Sequence, residues 1–237
     1  MREKQPGSGL RIDIIGLVLA GLINTFLALL DAGVILAPGT LAGEPDLLLR
    51  AQWIAGHTLR WKGGWLFWFS VTLSFSWSYF ALGRHLDASK PWRSLAIGLA
   101  LVAAAVDLVG VLVNLTVLPR LSMGLTESMA HPDPGLLIVF RSMEDLAYAL
   151  TNVTAFGLYS LAGLFLLPAV FATSTYPRRL AWLGLLEWGI ASIATIMLIV
   201  APSLATVPLL VSFFLYAPWV WGSALWLARR QPRCGTE

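Results

Sequence analysis

The sequence predicts an all-α fold: a polytopic transmembrane helical bundle with six spans and a short interfacial helix in the first outer loop. Hydrophobic residues make up 57% of the 237 positions and charged residues only 12%, whereas a soluble domain carries about a quarter charged residues. The mean hydropathy is +0.75. The apolar residues fall in six long runs, and the basic residues gather at the ends of these runs. We therefore expect residues 1–237 to form a single membrane domain.

Each predicted span rests on an apolar run near the length that a membrane-crossing helix needs, about 20 residues. The first run is too long for the core of a signal peptide, which has about 7–15 residues. No A-x-A cleavage pattern follows it, so we expect this first helix to be retained. The predicted spans cover residues about 12–37, 63–83, 94–118, 144–170, 180–201 and 208–228.

Two long connections separate the first four spans. In the first connection, residues 39–62, Pro45 and Asp46 indicate a helix start, and the leucines that follow predict a short helix at the membrane interface. The second connection covers residues 119–143, because Pro119 is expected to end the third span. The run His131-Pro-Asp-Pro-Gly predicts a break within it.

Two further patterns concern packing and turns. Serines at 70, 74 and 78 lie four residues apart on one face of the second span, a spacing of small residues that lets another helix approach closely. We interpret this stripe as a packing surface. Pro202 and Pro208 predict a tight reversal between the fifth and sixth spans.

The basic residues also predict the orientation in the membrane. With six spans, eleven Lys and Arg residues fall on the side of the two termini and five on the opposite side. Short cytoplasmic segments carry the excess of Lys and Arg. We therefore expect a bacterial inner membrane protein with both termini in the cytoplasm and both long connections outside.

A polar pattern appears twice within the apolar runs. The motif D-L-x3-L-x-N-x-T occurs at residues 107–116 and again at 145–154. Seven residues separate its aspartate from its asparagine, which returns to nearly the same helix face. Each of the three asparagines in the chain has an aspartate seven residues away: Asn24 with Asp31, Asn114 with Asp107, and Asn152 with Asp145.

Such groups are costly inside a membrane and usually face a bundle interior or a cavity. We predict that they form a polar layer in which Asp31, Asp107, Asn114 and Asn152 converge between the first, third and fourth spans. Asn24 joins it near the midplane, and Glu144 and Asp145 lie at its outer rim. The candidate ligand-binding residues are therefore Asp31, Asp107, Asn114, Asn152, Asn24, Asp145 and Glu144.

The polar layer has a structural and a functional interpretation. Asparagines and threonines stabilise membrane bundles by hydrogen bonds of about 0.6 kcal/mol each on average. A carboxyl at the membrane centre costs about 2.5–3.5 kcal/mol, which is more than one such bond returns. We therefore expect Asp107 to be protonated, to pair with Asn24 or Asn114, or to face water.

Other acids and the loop histidine leave alternatives open. Glu144 and Asp145 are either simply solvated or paired with Arg141, Arg60 or His57 over a pocket mouth. Glu187 lies some seven residues into the fifth span, beside Trp188, where access to water is expected to suffice, so we interpret it as structural.

Missing residue types exclude several kinds of chemistry. No lysine or histidine falls within a predicted span, which argues against a Schiff-base pigment and a bis-histidine haem. The chain has a single cysteine, Cys234, and neither the G-x-S-x-G nor the H-E-x-x-H pattern. We expect no metal and no cofactor, and assign no catalytic residue.

The segments L-L-L-R-A-Q-W-I-A-G at 47–56 and Y-P-R-R-L-A-W-L-G-L-L at 176–186 are similar to those of a bacterial family of six-helix integral membrane proteins of unknown function. The resemblance implies a six-helix membrane fold and no activity.

Three classes of function remain. The polar layer either binds or transports a small or lipophilic ligand, or holds together an accessory subunit of a larger membrane complex. The third class is an enzyme that acts on a lipid or isoprenoid through carboxyl acid and base chemistry. The expected partners are the lipid bilayer, and a small lipophilic ligand or other membrane subunits, and no nucleic acid. Ligand binding or transport is the favoured prediction.

Overall fold

A computed structural model describes residues 8–40, 44–87, 90–127 and 133–230, and within these ranges the chain is helical with short connections and no strand. Seven helices follow in order: α1 Gly9–Gly39, α2 Leu47–Gly56, α3 Thr58–His85, α4 Pro91–Glu127, α5 Pro134–Ala172, α6 Arg178–Val200 and α7 Pro202–Arg229. The all-α prediction is confirmed.

Five of these helices, α1, α4, α5, α6 and α7, are long and apolar enough to cross a membrane. Helix α3 has 28 residues, but its serines, threonines and tryptophans lower its hydropathy, and it is not among the five. The predicted second span is therefore present as a long helix. That this helix crosses a membrane stays a prediction.

The long helices form a ring in chain order. Each of α1, α3, α4, α5, α6 and α7 packs against the next, and α7 closes the ring against α1. Trp92 stacks on Phe165 at one end of the α4–α5 pair, whereas Gly110 lies against Ala147 and Thr151 further along. Helices α4 and α5 are therefore antiparallel neighbours.

Polar contacts join the described ends of the chain at one end of the bundle. Asp13 on α1 contacts Arg84 and lies 2.9 Å from His85 Nε2. Arg230 donates a hydrogen bond of 3.1 Å to the His85 carbonyl and lies 3.5 Å from Asp87. The beginning of α1, the end of α3 and the end of α7 thus meet.

The opposite end has a separate apolar cluster. Helix α2 contributes Ala51 and Ile54 to it, and they pack with Trp61 of α3, Leu125 of α4 and Phe140 of α5. The predicted helix after Pro45 is present, and Asp46 caps it by accepting hydrogen bonds from the backbone of the next turn, at 2.8 and 3.0 Å. Its position relative to a membrane stays a prediction.

Prolines begin or interrupt helices at different places from those predicted. Pro119 does not end the helix of the third predicted span: α4 continues to Glu127. Residues Val113–Val117, which end two positions before Pro119, are π-helical, and the Leu118 N–H bonds to the Val113 carbonyl five residues back. Since proline lacks an N–H and disturbs the α-helical pattern, this change of register accommodates it.

The predicted second connection is also too long. Helix α5 begins at Pro134 and not near Glu144, because Asp133 caps it by accepting a hydrogen bond of 2.8 Å from Gly135, and Pro134 occupies the first helical position, where the missing N–H costs nothing. The predicted break starts at His131, which lies outside the described residues.

Pro202 does not form a reversal with Pro208. It begins α7 at the same favourable position, and Pro208 lies within that helix.

Candidate functional site

The polar residues singled out by the sequence lie in unusual helical segments. The described chain contains π-helical stretches at Leu22–Leu27, Asp31–Leu36, Val113–Val117 and Ala149–Ala155. They contain Asn24, Asp31, Asn114 and Asn152 respectively. π-Helical turns are rare and are frequently found at functional sites.

Asn24 and Asn114 have the same local geometry. The Asn24 Nδ2 donates a hydrogen bond of 2.8 Å to the Ala20 carbonyl, and Asn114 Nδ2 donates one of 3.0 Å to the Gly110 carbonyl. In both places a backbone N–H further on bonds to the carbonyl five residues back, of Ile23 and Val113. A side-chain amide therefore satisfies a carbonyl four residues back, beside a turn that has changed register.

Helix α3 is the element that most of the polar layer contacts. Asn24 Nδ2 also donates to Ser74 Oγ at 2.7 Å, and Thr72 Oγ1 donates to Asp107 Oδ2 at 2.6 Å. Asp31 lies over Gly64, where an added methyl carbon would come within 3.0 Å of its carboxyl oxygen. Residues from α1 and α4 thus meet on two sides of α3.

Trp61 of α3 fixes the backbone of Asn114. Its indole Nε1 donates a hydrogen bond of 2.8 Å to the Asn114 carbonyl. Asn114 itself is buried. This contact places α3 beside the π-helical stretch of α4 as well as beside Asp107.

Asn152, in the second copy of the motif, has a different environment. It is half-buried, and its side-chain amide donates to the neighbouring Thr151 Oγ1 at 2.9 Å. Thr151 in turn lies against Gly110 of α4. Among the described residues no hydrogen bond joins Asn152 to Asp31, Asp107 or Asn114, so the predicted convergence on one point stays a prediction.

The two rim acids separate completely. Glu144 forms a two-pronged ion pair with Arg50 of α2, at 2.8 and 2.6 Å, and Arg50 also donates to the Glu44 and Pro45 carbonyls. Asp145 is 70% exposed and lies 3.9 Å from Arg141. Both acids could be identified from the sequence as candidates, but the buried arginine could not, because a basic residue in a loop is usually interpreted as a sign of membrane topology.

His57, the other proposed rim partner, stacks on Trp53 at the end of α2, with ring centroids 4.9 Å apart.

Three acids of the long helices are buried without a basic partner among the described residues. Asp31, Asp107 and Glu187 are 1%, 5% and 1% exposed. Both carboxyl oxygens of Asp31 and one each of Asp107 and Glu187 accept no hydrogen bond in the described structure. Desolvation makes such carboxyl groups costly, and each one calls for an explanation.

Glu187 differs most from its prediction. It lies close enough to Tyr79 and Tyr216 to interact electrostatically with both, and the expected access to water is absent in this conformation. Tyr216 Oη donates to Ser78 Oγ at 2.9 Å, and Tyr79 Oη donates to the Tyr159 carbonyl at 2.6 Å. Tyrosine rings pack inside apolar helices as phenylalanine rings do, so hydropathy did not indicate this cluster.

The same buried network reaches Asp107. Tyr159 Oη donates to the Thr72 carbonyl at 3.2 Å and lies 3.3 Å from Ser76 Oγ. Thr72 is also the donor to Asp107. Polar side chains of α3 therefore lie between Asp107 on α4 and the tyrosines near Glu187 on α6.

The two cavities that the structure describes lie away from the polar layer. One, of about 570 Å³, is a groove between α6 and α7, and the other, of about 390 Å³, is an open surface site between α2 and α5. Neither is lined by Asp31, Asp107, Asn114 or Asn152. Within the layer, Asp31, Asp107 and Asn114 are 1%, 5% and 3% exposed.

These features fit an integral membrane protein built from apolar helices, with buried acids inside the bundle. Comparison of the chain with protein-family models, with curated proteins and with solved structures finds no match. The similarity to six-helix membrane proteins of unknown function therefore gains no support from these comparisons.

Proposed function

We propose that α3 is a sixth span, so that the protein crosses the bacterial inner membrane six times with both termini in the cytoplasm. The outward face of α3 carries a stripe of exposed apolar residues, whereas its serines and threonines are buried or half-buried. Lys62 and Arg84 bound this stripe, 22 positions apart, or about 33 Å of helix, close to the roughly 30 Å of a hydrocarbon core. The exposed residues of the stripe are Leu66, Phe69, Leu73, Trp77 and Phe80.

Within this bundle, we propose that the polar layer binds or transports a small lipophilic solute, with Asp107 as its ion-pairing and proton-exchanging group. The observation that carries the proposal is the set of buried carboxyl oxygens without a hydrogen-bond partner in Asp31, Asp107 and Glu187. Acids within membrane helices commonly mark solute and proton pathways. A lipophilic cation is the solute class that a buried carboxylate complements best.

Binding requires the buried layer to open. The π-helical stretches of α1, α4 and α5 lie at the polar residues themselves, and a shift between π- and α-helical bonding there would rotate the adjoining segments. Substrate sites of many transporters are likewise built where membrane helices depart from regular geometry. Irregular helices at the site therefore support transport over a rigid scaffold.

The accessory-subunit function remains the second candidate. It is favoured by one observation, that neither described cavity reaches the polar layer. A subunit of this kind would bind no solute and would co-purify with other membrane proteins. The enzyme function has less support, since no hydrogen bond joins two of the buried carboxyl groups among the described residues.

Binding of tetraphenylphosphonium to the purified protein tests the proposal, with tryptophan fluorescence as the readout. Asp107→Asn removes the negative charge but keeps the shape of the side chain. Asp145→Asn on α5 is the matched control, because Asp145 is exposed. We expect wild type to bind the cation more strongly as the pH rises, since the carboxylate must be ionised to attract it. Asp107→Asn should lose this binding, and Asp145→Asn should keep it.

Other results would count against transport. Equal binding by wild type and Asp107→Asn would exclude Asp107 as the ion-pairing group. Absence of binding at every pH, together with stable co-purification of other membrane proteins, would favour the accessory subunit.

A further inference from the structure

The groove between α6 and α7 has features that the polar layer does not explain. It lies at the end of the bundle where the described chain ends meet, and its volume is about 570 Å³. Most of its lining residues are basic or apolar. The lining residues include Arg179, Arg229, Arg230, Leu183, Gly222 and Leu225.

The basic residues lie at the mouth of the groove. Arg179 is in the first turn of α6, and Arg229 is the last residue of α7. Both are exposed, and neither has an acidic partner within ion-pair distance among the described residues. Their positive charges are therefore available to an anion.

Contacts with Trp226, His85 and Asp87 hold Arg230 in place at the mouth of the groove. Its guanidinium lies over the Trp226 ring at 4.8 Å, while its nitrogens contact the His85 carbonyl and Asp87. Trp226 is held by a hydrogen bond of 2.9 Å from its indole to the Thr175 carbonyl. Among the described contacts at the mouth, Asp87 is the one acidic group, and Arg230 already offsets its negative charge.

The apolar part lies deeper along both helices. Leu183 is four residues beyond Arg179, and Gly222 is seven residues before Arg229, which correspond to about 6 and 10 Å of helix. At Gly222 the helices approach closely, since an added methyl carbon would lie 2.6 Å from Leu180. Leu225, 61% exposed, forms the outer edge. The groove thus has arginines at its mouth and leucines along its length, on the surface of two apolar helices.

We propose that this groove binds one anionic phospholipid of the leaflet on the side of the termini. Arg179 and Arg229 contact its phosphate headgroup, and an acyl chain lies along Leu183, Gly222 and Leu225. Charge complementarity selects the occupant, because basic sites between membrane helices attract anionic headgroups. A zwitterionic lipid of the same chain length lacks the net charge, and a free phosphate lacks the chain.

The test measures lipid retention by delipidated protein in detergent, by native mass spectrometry. Phosphatidylglycerol, phosphatidylcholine with the same acyl chains, and inorganic phosphate are titrated separately. The variant Arg179→Gln/Arg229→Gln is compared with Arg120→Gln/Arg141→Gln, which removes two exposed arginines from the opposite end of the bundle. Each arginine near an anionic surface contributes about fivefold to the affinity.

We expect wild type and the control pair to retain phosphatidylglycerol, and the groove variant to bind it about 25-fold more weakly. Equal retention of phosphatidylcholine, equal binding of inorganic phosphate, or the same loss in both pairs of variants would overturn the proposal. If the groove variant does not fold, Arg229→Gln alone and a salt titration of wild type replace it, and retention of phosphatidylglycerol independent of salt would then overturn it.

Discussion

Arg50 and Glu144 lie 94 residues apart in sequence, and their contact joins α2 to α5. The side chain of Arg50 is 3% exposed and that of Glu144 is 18% exposed. Removing one partner of such a buried pair leaves a charge without compensation, which costs about 3–5 kcal/mol. A pair at this position therefore matters for folding far more than a surface salt bridge.

We expect Glu144→Gln to lower the free energy of unfolding by about 3 kcal/mol, the lower end of that range, because Glu144 retains some access to water. The control is Asp145→Asn, one residue further on and exposed, which should change the free energy of unfolding by less than about 0.5 kcal/mol. Denaturant unfolding in detergent micelles measures both. Equal effects would mean that the ion pair does not hold α2 in place.

For individual polar side chains, the sequence predicts burial better than it predicts the hydrogen-bond partner. Asp31, Asp107, Asn24 and Asn114 are buried as expected, because a polar group within an apolar run has few places to lie except the bundle interior. The partners Thr72 and Ser74 come from α3, whose serine spacing indicated packing alone. Spacing along one helix cannot say which neighbouring helix offers the hydroxyl group.

At the scale of the element, the repeated motif corresponds to repeated π-helical stretches. Val113–Val117 and Ala149–Ala155 include the N-x-T part of each copy. A seven-residue spacing assumes a regular helix, so the sequence located these positions without predicting their irregular geometry. The second copy differs in consequence: Asp145 is exposed whereas Asp107 is buried.

The π-helical stretch of α4 gives a prediction about deletions. A turn closed by a five-residue bond holds one residue more than an α-helical turn. We therefore expect deletion of Thr116, which is exposed in this stretch, to restore α-helical bonding while both flanks keep their faces. Deletion of Val102, exposed in the regular part of α4, turns one flank by about 100° relative to the other.

The yield and the melting temperature of folded, monodisperse protein measure the two deletions. We expect the Thr116 deletion to remain folded and the Val102 deletion to be lost, since it would turn buried faces of α4 outward. If both deletions lower the yield and melting temperature to a similar extent, the π-helical stretch does not contain an extra residue that can be removed.

At the scale of the whole molecule, α3 has the central role that hydropathy alone would not assign. It lies between α1 and α4 in the ring, and its Phe75 and Tyr79 pack against Tyr159, Tyr216 and Trp188 in the interior. The sequence predicted its existence because the run is long. It could not predict its role, since aromatic and hydroxyl side chains lower the hydropathy of a helix and also supply its buried contacts.

Helix ends were harder to predict than helices. Three misplaced boundaries, at Pro119, Pro134 and Pro202, involve a proline that local geometry accommodates at a first turn or beside a π-helical stretch. Proline ends a helix only when its missing hydrogen bond has no alternative.

Labelling from the two sides of intact membranes can decide the six-span topology. Cys234 is the single cysteine of the chain, and it follows α7 by a few residues. Leu59 at the start of α3 is 86% exposed, so Leu59→Cys in a Cys234→Ser background reports the opposite end of the bundle. We expect a membrane-impermeant maleimide to label Leu59→Cys in intact cells and to label Cys234 only after the membrane is opened. If α3 crosses the membrane, the two positions must differ, because Arg230 and the end of α3 lie together while Leu59 is a full helix length away. Labelling of both from the same side would overturn the six-span topology, and the reverse pattern would overturn the orientation derived from the eleven and five basic residues.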